Sequence, residues 1–417
     1  MKILLISIGT RGDVEPFLAV GKLLQESGHE VHTAFPAQYA YLANETGLTC
    51  NPLDPAFIEL IEGDSAKEIM GGKLGPLKKV RAYYKMYKES TQVNRSIFKE
   101  QHALIQELKP DRVVYSGKAV YPIAWSKANM DKTVLMSPVP CLIHPVRHLP
   151  HLGFHNSLGL LNGLTYKLAN WGLVTAIHSV SKILPETKGL SKKALSQLVK
   201  RNKMVYAISE ELFTRPSYWP GHVKVMGYQE RLKQSDYAPD ATLIDFIERH
   251  NKILFVSFGS MENPNPKEKT AIILDVLEQL GIPAIINCAE GGLVQPELYN
   301  TDLFYFVNRI PYDWILPKVY AAMHHGGSGT THLSVKYGCA SLIVPHIIDQ
   351  FLWNNIIHNK GLGPKGVSVQ KLSKSKLAPL MKDLWQNEAY KTTAKNVGKR
   401  MLEEDHSKEL VDFIVGN

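Results

Sequence analysis

"VYAAMHHGGSGTTHLSVKYG", residues 319–338, runs from a short apolar stretch into a helical pattern through a loop with two histidines, three glycines, a serine and two threonines at positions 324–331. A strand that ends in glycines and opens straight into a helix presents backbone N–H groups at a helix N-terminus, where the dipole favours negative charge. Ser328, Thr330 and Thr331 add hydroxyls, so the loop reads as a cradle for a phosphate or diphosphate. It lacks the G-x-x-x-x-G-K-[ST] spacing and the lysine of a Walker loop. Successive strand side chains point to opposite faces, so His324 and His325 cannot both enter the core, and one is expected to face a ligand. A tight turn without a ligand is the competing reading.

Outward from the loop, apolar runs alternate with helical patterns, the rhythm of parallel sheets covered by helices on both faces. "KILFVSFGS", "IPAIINCAE", "LFYFVNRI" and "ASLIVPH" read as further strands in the same half. In the other half "KILLISI" runs through a glycine turn into "PFLAVGKLLQESG", and "HEVHTAF", "PDRVVYSG" and "KTVLMSP" repeat the pattern. The polar stretch "GYQERLKQSDYAPDATLIDFIERHN" separates the halves. The fold class expected is therefore α/β, two doubly wound Rossmann-like domains facing across a cleft, with ligands at the carboxyl edges of their strands. The boundaries expected are 1–235, 240–395, and a C-terminal helix at 396–417 that packs back on the first domain.

With 417 residues, 44% hydrophobic and 21% charged, the chain has the size of two domains and the composition of a globular protein. Cys50, Cys141, Cys288 and Cys339 form no paired spacing, which argues against a disulfide framework or structural zinc and for a reducing, cytoplasmic setting. "MKILLISIGTRGD" is too short an apolar run for a signal peptide and reads as a first buried strand. "LGLLNGLTYKLANWGLVTAIHSV" at 158–180 contains Asn162, Lys167, Asn170 and His178 and reads as an amphipathic helical region rather than a membrane span. The formal charge of +9 is uneven: up to Gln229 there are 28 Lys and Arg against 18 Asp and Glu, and the remainder has 20 against 21. Part of the excess is "KLGPLKKVRAYYKMYKES", a solvated helix face or, alternatively, a peripheral contact with anionic membrane. No nucleic-acid-binding module accompanies the charge.

"HHGGSGTT" followed by "GCASLIVPHIIDQFLWNNIIHNKGLGPK" resembles the donor-binding signature of glycosyltransferases that use nucleotide-activated sugars, in the branch of the sterol glucosyltransferases and the antibiotic glycosyltransferases of bacteria. "IGTRGDVEPFLAVGKLLQESGHEV" is similar to that branch's opening motif and "SFGSM" at 257–261 to the start of its second domain. The resemblance implies the GT-B fold. It implies that His325 contacts the donor diphosphate, that Gly327, Ser328, Gly329 and Thr330 form the phosphate cradle, and that Ser260 lies near the ribose and phosphates. Asp349 and Gln350 match the pair that hydrogen-bonds the donor sugar. Ile310 matches the position whose backbone meets the nucleobase, and Asp13 matches the general base, with Glu15 a weaker candidate. A helix N-cap is the competing reading for both Asp13 and Ser260. Where relatives have Asp-Gln-Pro-Phe-Trp-Gly-Asn-Arg, this chain has "DQFLWNNI" at 349–356, so glucose is a default for the sugar.

The activity implied is inverting transfer of a sugar, glucose from UDP-glucose by default, to a hydroxyl of a lipophilic acceptor such as a sterol, polyketide or flavonoid. The nucleotide sugar is a co-substrate, and no metal or cofactor is expected. "CLIHPVRHLPHLGFH", with His144, His148, His151 and His155, and the leucine-rich segment after it are expected to line a lipophilic acceptor pocket. A nucleotide-sugar epimerase and a non-catalytic nucleotide-sugar binder are the alternatives.

Overall fold

The computed structural model describes residues 1–62, 76–154, 156–231, 237–259, 263, 265–289 and 291–416, apart from the side chains of residues 61, 62 and 76–90. Two units emerge: unit 1 comprises Met1–Glu210, Thr214–Arg231 and Asp405–Asn417, and unit 2 comprises Glu211–Phe213 and Leu232–Glu404.

Unit 1 holds seven parallel strands, β1 (Lys2–Ile6), β2 (Glu30–Ala34), β3 (Thr49–Cys50), β4 (Arg112–Tyr115), β5 (Thr133–Ser137), β6 (Lys203–Tyr206) and β7 (Val223–Val225), in the order β3-β2-β1-β4-β5-β6-β7. Unit 2 holds five, β8 (Leu254–Ser257), β9 (Ala284–Asn287), β10 (Phe304–Val307), β11 (Ala321–His324) and β12 (Ala340–Ile343), in the order β10-β9-β8-β11-β12. Both orders reverse direction once, beside β1 in unit 1 and beside β8 in unit 2. Such a reversal opens a crevice at the carboxyl ends of the two strands that flank it.

The helices used below are α1 (Arg11–Glu26), α2 (Pro76–Leu108), α3 (Asn162–Ser181), α4 (Ser328–Lys336), α5 (Ile348–Asn359), α6 (Glu388–Glu403) and α7 (Ser407–Val415). The strands of unit 2 are apolar on both sides, as a sheet covered on both faces requires. Leu254, Val256, Ile286 and Met323 enter one core cluster, and their alternating neighbours Phe255, Ile285 and Ala322 enter the other. In unit 1, Leu5, Phe17, Val114 and Met136 share a core with Leu410 and Ile414 of α7.

Two expectations are corrected here. Helix α1 starts at Arg11, before the Pro16 that opens its apolar pattern, because the Asp13 carboxylate accepts from the Thr10 N–H and closes the first turn. The return to the first unit comes at Asp405 rather than at 396, since α6 stays on unit 2 against α4. Only α7 crosses back, held by Arg112, whose guanidinium donates to the carbonyls of Ile414 (3.2 Å) and Val415 (2.6 Å).

Candidate active site

In unit 2 the reversal point falls between β8 and β11, and the histidine–glycine loop leaves β11 there. His324 ends the strand with no exposure; its Nδ1 accepts from the Gly326 N–H at 3.1 Å, and burial lowers its pKa to about 3. His325 turns to the other side and is also largely buried. Burial, then His346 and His324, hold its pKa well below the ordinary value, with the Ser257 carbonyl pulling weakly the other way, so the ring is neutral. Its Nδ1 is buried without a sound hydrogen bond.

Two glycines make room for that ring. A Cβ on Gly327 would lie 2.4 Å from His325 Nε2, and one on Gly259, at φ +60, would lie 2.9 Å from Cε1. Gly327 is also the N-cap of α4, and among the described residues no side-chain cap bond is made there. Loop and helix therefore present a neutral imidazole beside a helix N-terminus that starts at a glycine, a setting suited to an anion. Ser328 and Thr330 lie buried in the first turn. Thr331 does not contribute a free hydroxyl: it is fully buried and donates to the Gly327 carbonyl at 2.9 Å.

Around the loop stand groups that the sequence did not point to. Ser257 Oγ is within 2.7 Å of the Tyr312 hydroxyl and accepts from Asn287 Nδ2 and the Gly259 N–H, both at 3.2 Å. His346, after β12, packs edge-on to Phe258, with its ring centroid 6.4 Å from that of His325. The Val344 carbonyl lies 2.9 Å from its Nδ1 and Asn263 Oδ1 2.8 Å from its Nε2. Burial lowers its pKa to about 4.

Asp349 lies in the first turn of α5 and is partly exposed. Gln350 is committed differently from expectation: it is buried, and its Oε1 caps α5 by accepting from the N–H groups of His346 (2.7 Å) and Ile347 (3.1 Å). Only its amide nitrogen is left for a sugar hydroxyl. Ile310 points into the core with Phe246 and Ile315, so a ligand could meet only its backbone. Beside it a groove of about 470 Å³ is lined by Ala289, Val307, Asn308 and Arg309 with Tyr237 and Tyr305. Ser260 and His155 lie outside the described residues, as do the side chains of the basic 73–88 stretch.

Asp13 stands at the corresponding crevice of unit 1, between β1 and β4. Its Oδ2 accepts from the Thr10 N–H at 2.9 Å, and Lys118, after β4, donates to both carboxylate oxygens at 2.9 Å. The carboxylate folds over Gly9, at φ +140, where a Cβ would lie 2.0 Å from Oδ2. A quarter of the Asp13 side chain stays exposed. Glu15 is unsuited as a base, because Arg11 (3.1 Å) and Arg231 (3.2 Å) clamp it.

The acceptor-side expectations fare unevenly. His144 is buried with neither ring nitrogen hydrogen-bonded, and burial, followed by the nearby His222, lowers its pKa to about 4. His151 is tied to the Leu142 carbonyl and the Gly153 N–H, both at 3.0 Å. Leu160, Leu161, Leu164, Leu168 and Trp171, expected to line a pocket, are exposed instead. Among the described residues no three His, Cys, Asp or Glu are grouped to hold a metal ion.

Residues 3–128 match the glycosyltransferase family 28 N-terminal domain, and residues 301–416 match the erythromycin biosynthesis protein CIII-like C-terminal domain. Two sterol 3-beta-glucosyltransferases of Arabidopsis thaliana are 26% and 27% identical over 97% and 99% of this chain, and a sterol 3-beta-glucosyltransferase of Pichia angusta is 24% identical over 98%. The chain spans 64% and 67% of the plant proteins and 33% of the yeast one. Among solved structures, the calicheamicin glycosyltransferase CalG4 (TM-score 0.70, 16% identical) aligns over 99% of this chain and 96% of its own. The glycosyltransferase VinC in complex with dTDP (TM-score 0.65, 16% identical) aligns over 100% and 99%. The fold is that of these glycosyltransferases, and the resemblance extends over the whole chain.

Proposed function

We propose that this chain, built on the glycosyltransferase fold and matching a glycosyltransferase family 28 domain at residues 3–128, is an inverting transferase that moves a hexose from a nucleotide sugar to a hydroxyl of a lipophilic acceptor. What carries the reading is the loop after β11, where a buried neutral histidine, with two glycines making room for it, adjoins the N-terminus of α4, which starts at Gly327. That arrangement suits a diphosphate leaving group without a metal ion. The names of the plant and yeast relatives favour glucose and a sterol; the dTDP in VinC keeps the base of the donor open.

In the proposed reaction Asp13 takes the proton of the acceptor hydroxyl as its oxygen attacks the anomeric carbon. The bond from that carbon to the donor phosphate breaks with inversion, and the nucleoside diphosphate leaves with the electron pair. Lys118 fixes the orientation of the carboxylate through both oxygens. Asp349 and the amide nitrogen of Gln350 bind the sugar hydroxyls, and the backbone at Ile310 meets the base.

One observation favours a non-catalytic binder: the Asp13 carboxylate accepts from the Thr10 N–H as a helix cap does and is already paired with Lys118. Incubation with UDP and dTDP sugars and a panel of sterols, polyketides and flavonoids, with products weighed by mass spectrometry, separates the readings. A glycosylated acceptor supports transfer. Donor isomerisation without an acceptor indicates an epimerase, and binding with no turnover indicates a binder.

A further inference from the structure

Helix α3 buries one side and leaves an apolar stripe on the other. Thr165, Tyr166, Val174 and Ile177 face the protein, and the Asn170 amide donates to the Ile143 carbonyl at 3.2 Å. On the open side Leu161, Leu164, Leu168 and Trp171 recur at i, i+3, i+7 and i+10, with exposures of 58%, 46%, 59% and 65%. Leu160, one residue before, is fully exposed. Seven of the thirteen exposed large hydrophobic residues among those described fall within 154–171, so this is a patch and not the scattering that surfaces ordinarily show.

The sequence around the patch is predominantly basic. Residues 141–202 contain eight Lys and Arg and a single acidic residue, Glu186, a net +7 of the chain's +9. Glu186 is engaged by His102 at 3.4 Å. Lys167 is exposed on α3 between Leu164 and Leu168 in sequence. Lys192 reaches across from the next helix, with Nζ 3.2 Å from the Thr175 hydroxyl and 5.8 Å from the centre of the Trp171 ring.

We propose that this face of α3 seats on an anionic phospholipid bilayer, with the leucines and Trp171 at the boundary of headgroups and acyl chains and the lysines among the phosphates. No described helix is long and apolar enough to cross a membrane, so α3 would lie in the plane of the surface. A second copy of the same face is a poor partner, because a two-fold pairing would bring the same positive rim against itself. The inference stands apart from the transferase reading, since lipid binding is measured without turnover.

The experiment is sedimentation of the full chain with vesicles of phosphatidylcholine alone or mixed with phosphatidylserine, at low and high salt. Binding is expected only with phosphatidylserine, weakened by salt, and reduced by about fivefold for each lysine neutralised in Lys167→Gln and Lys192→Gln. Leu164→Gln combined with Leu168→Gln should abolish it, while Leu298→Gln, an exposed leucine of unit 2, should not change it. These side chains face solvent, so the variants should melt like the parent. A blue shift of fluorescence on adding anionic vesicles, lost in Trp171→Phe, reports insertion. Absence of selective binding, or binding that the leucine pair does not alter, overturns the proposal. A dimer seen by light scattering that Leu164→Gln dissolves, with no vesicle binding, overturns it in favour of a second copy.

Discussion

Replacing Gly327 by alanine tests the central geometry of unit 2. The backbone there has φ −62 and ψ 145, which alanine adopts freely, so the substitution acts only through its methyl group. That methyl would lie 2.4 Å from His325 Nε2 and 3.0 Å from Cε1, where ordinary contacts begin near 3.4 Å. The ring would have to retreat by about 1 Å, with Gly259 a near neighbour, since a Cβ there would lie 2.9 Å from Cε1. Overpacking of this kind costs about 1–3 kcal/mol. A ring displaced from the diphosphate also forfeits a hydrogen bond to a charged group, worth about 1.5–3 kcal/mol, which is roughly ten- to a hundredfold in affinity. Calorimetric titration with UDP and dTDP reads the affinity, and thermal melting reads the stability. A double-mutant cycle isolates the cause, because in a His325→Ala background Gly327→Ala should cost nothing further. Parental affinity and melting temperature in Gly327→Ala, or a further loss in the double variant, would refute the reasoning.

Asp13→Asn should keep donor affinity and lose most turnover, because the amide can still accept from the Thr10 N–H but cannot take a proton; turnover within about threefold of the parent would remove Asp13 from its role. His325→Ala should weaken free nucleoside diphosphate, whereas Asp349→Ala should spare it and weaken only the intact sugar nucleotide, and equal losses for both ligands in both variants would sink the assignment. Acid should destabilise the fold through His324 and His332, which burial holds neutral at pKa values of about 3 and about 4. Their unfolded forms take up protons near pH 6.5, so this stability is complete above that value and drains as pH falls toward 4, by about 1 kcal/mol per ring at pH 5.5. Melting curves at pH 7.5 and 5.5 check it; a flat profile contradicts it, and His332→Gln should make the fall shallower.

The histidine–glycine loop was legible as a strand-to-helix turn because its marks are local in sequence: glycines, a strand before and a helix after. The alternating apolar runs likewise announced β1, β2, β4, β5 and the strands of unit 2. Strands β3 and β7 were not announced, since two and three residues carry too little pattern, and β6 was not because it follows the helix Lys192–Arg201 after a single residue with no glycine or proline between them. Lys118 was missed because its tie to Asp13 spans 105 positions, and His346 because nothing local marks a ring that Phe258 and Asn263 hold from another strand end. The role of Gln350 as a cap was hidden for a different reason. A side-chain amide can serve a helix terminus or a ligand, and only the distances from its Oε1 distinguish them. The leucines of α3 show a limit of hydropathy: it marks them as apolar but not whether anything covers them.

The passage of the chain through unit 2 on its way back to unit 1 sets an order of folding. Synthesis delivers β1 to β7 before most of unit 2, yet Leu410, Val411, Ile414 and Val415, which complete the core with α1 and β4, follow after it. Between Arg231 and Asp405 the ribosome adds roughly 170 residues, about 10 to 35 s of elongation, and in that interval unit 2 can close on itself apart from its short Glu211–Phe213 piece. The first sheet meanwhile waits with Val14, Leu18 and their neighbours uncovered. Unit 1 is thus begun before unit 2 and finished after it, and during that wait its unclosed apolar groove is exposed to aggregation.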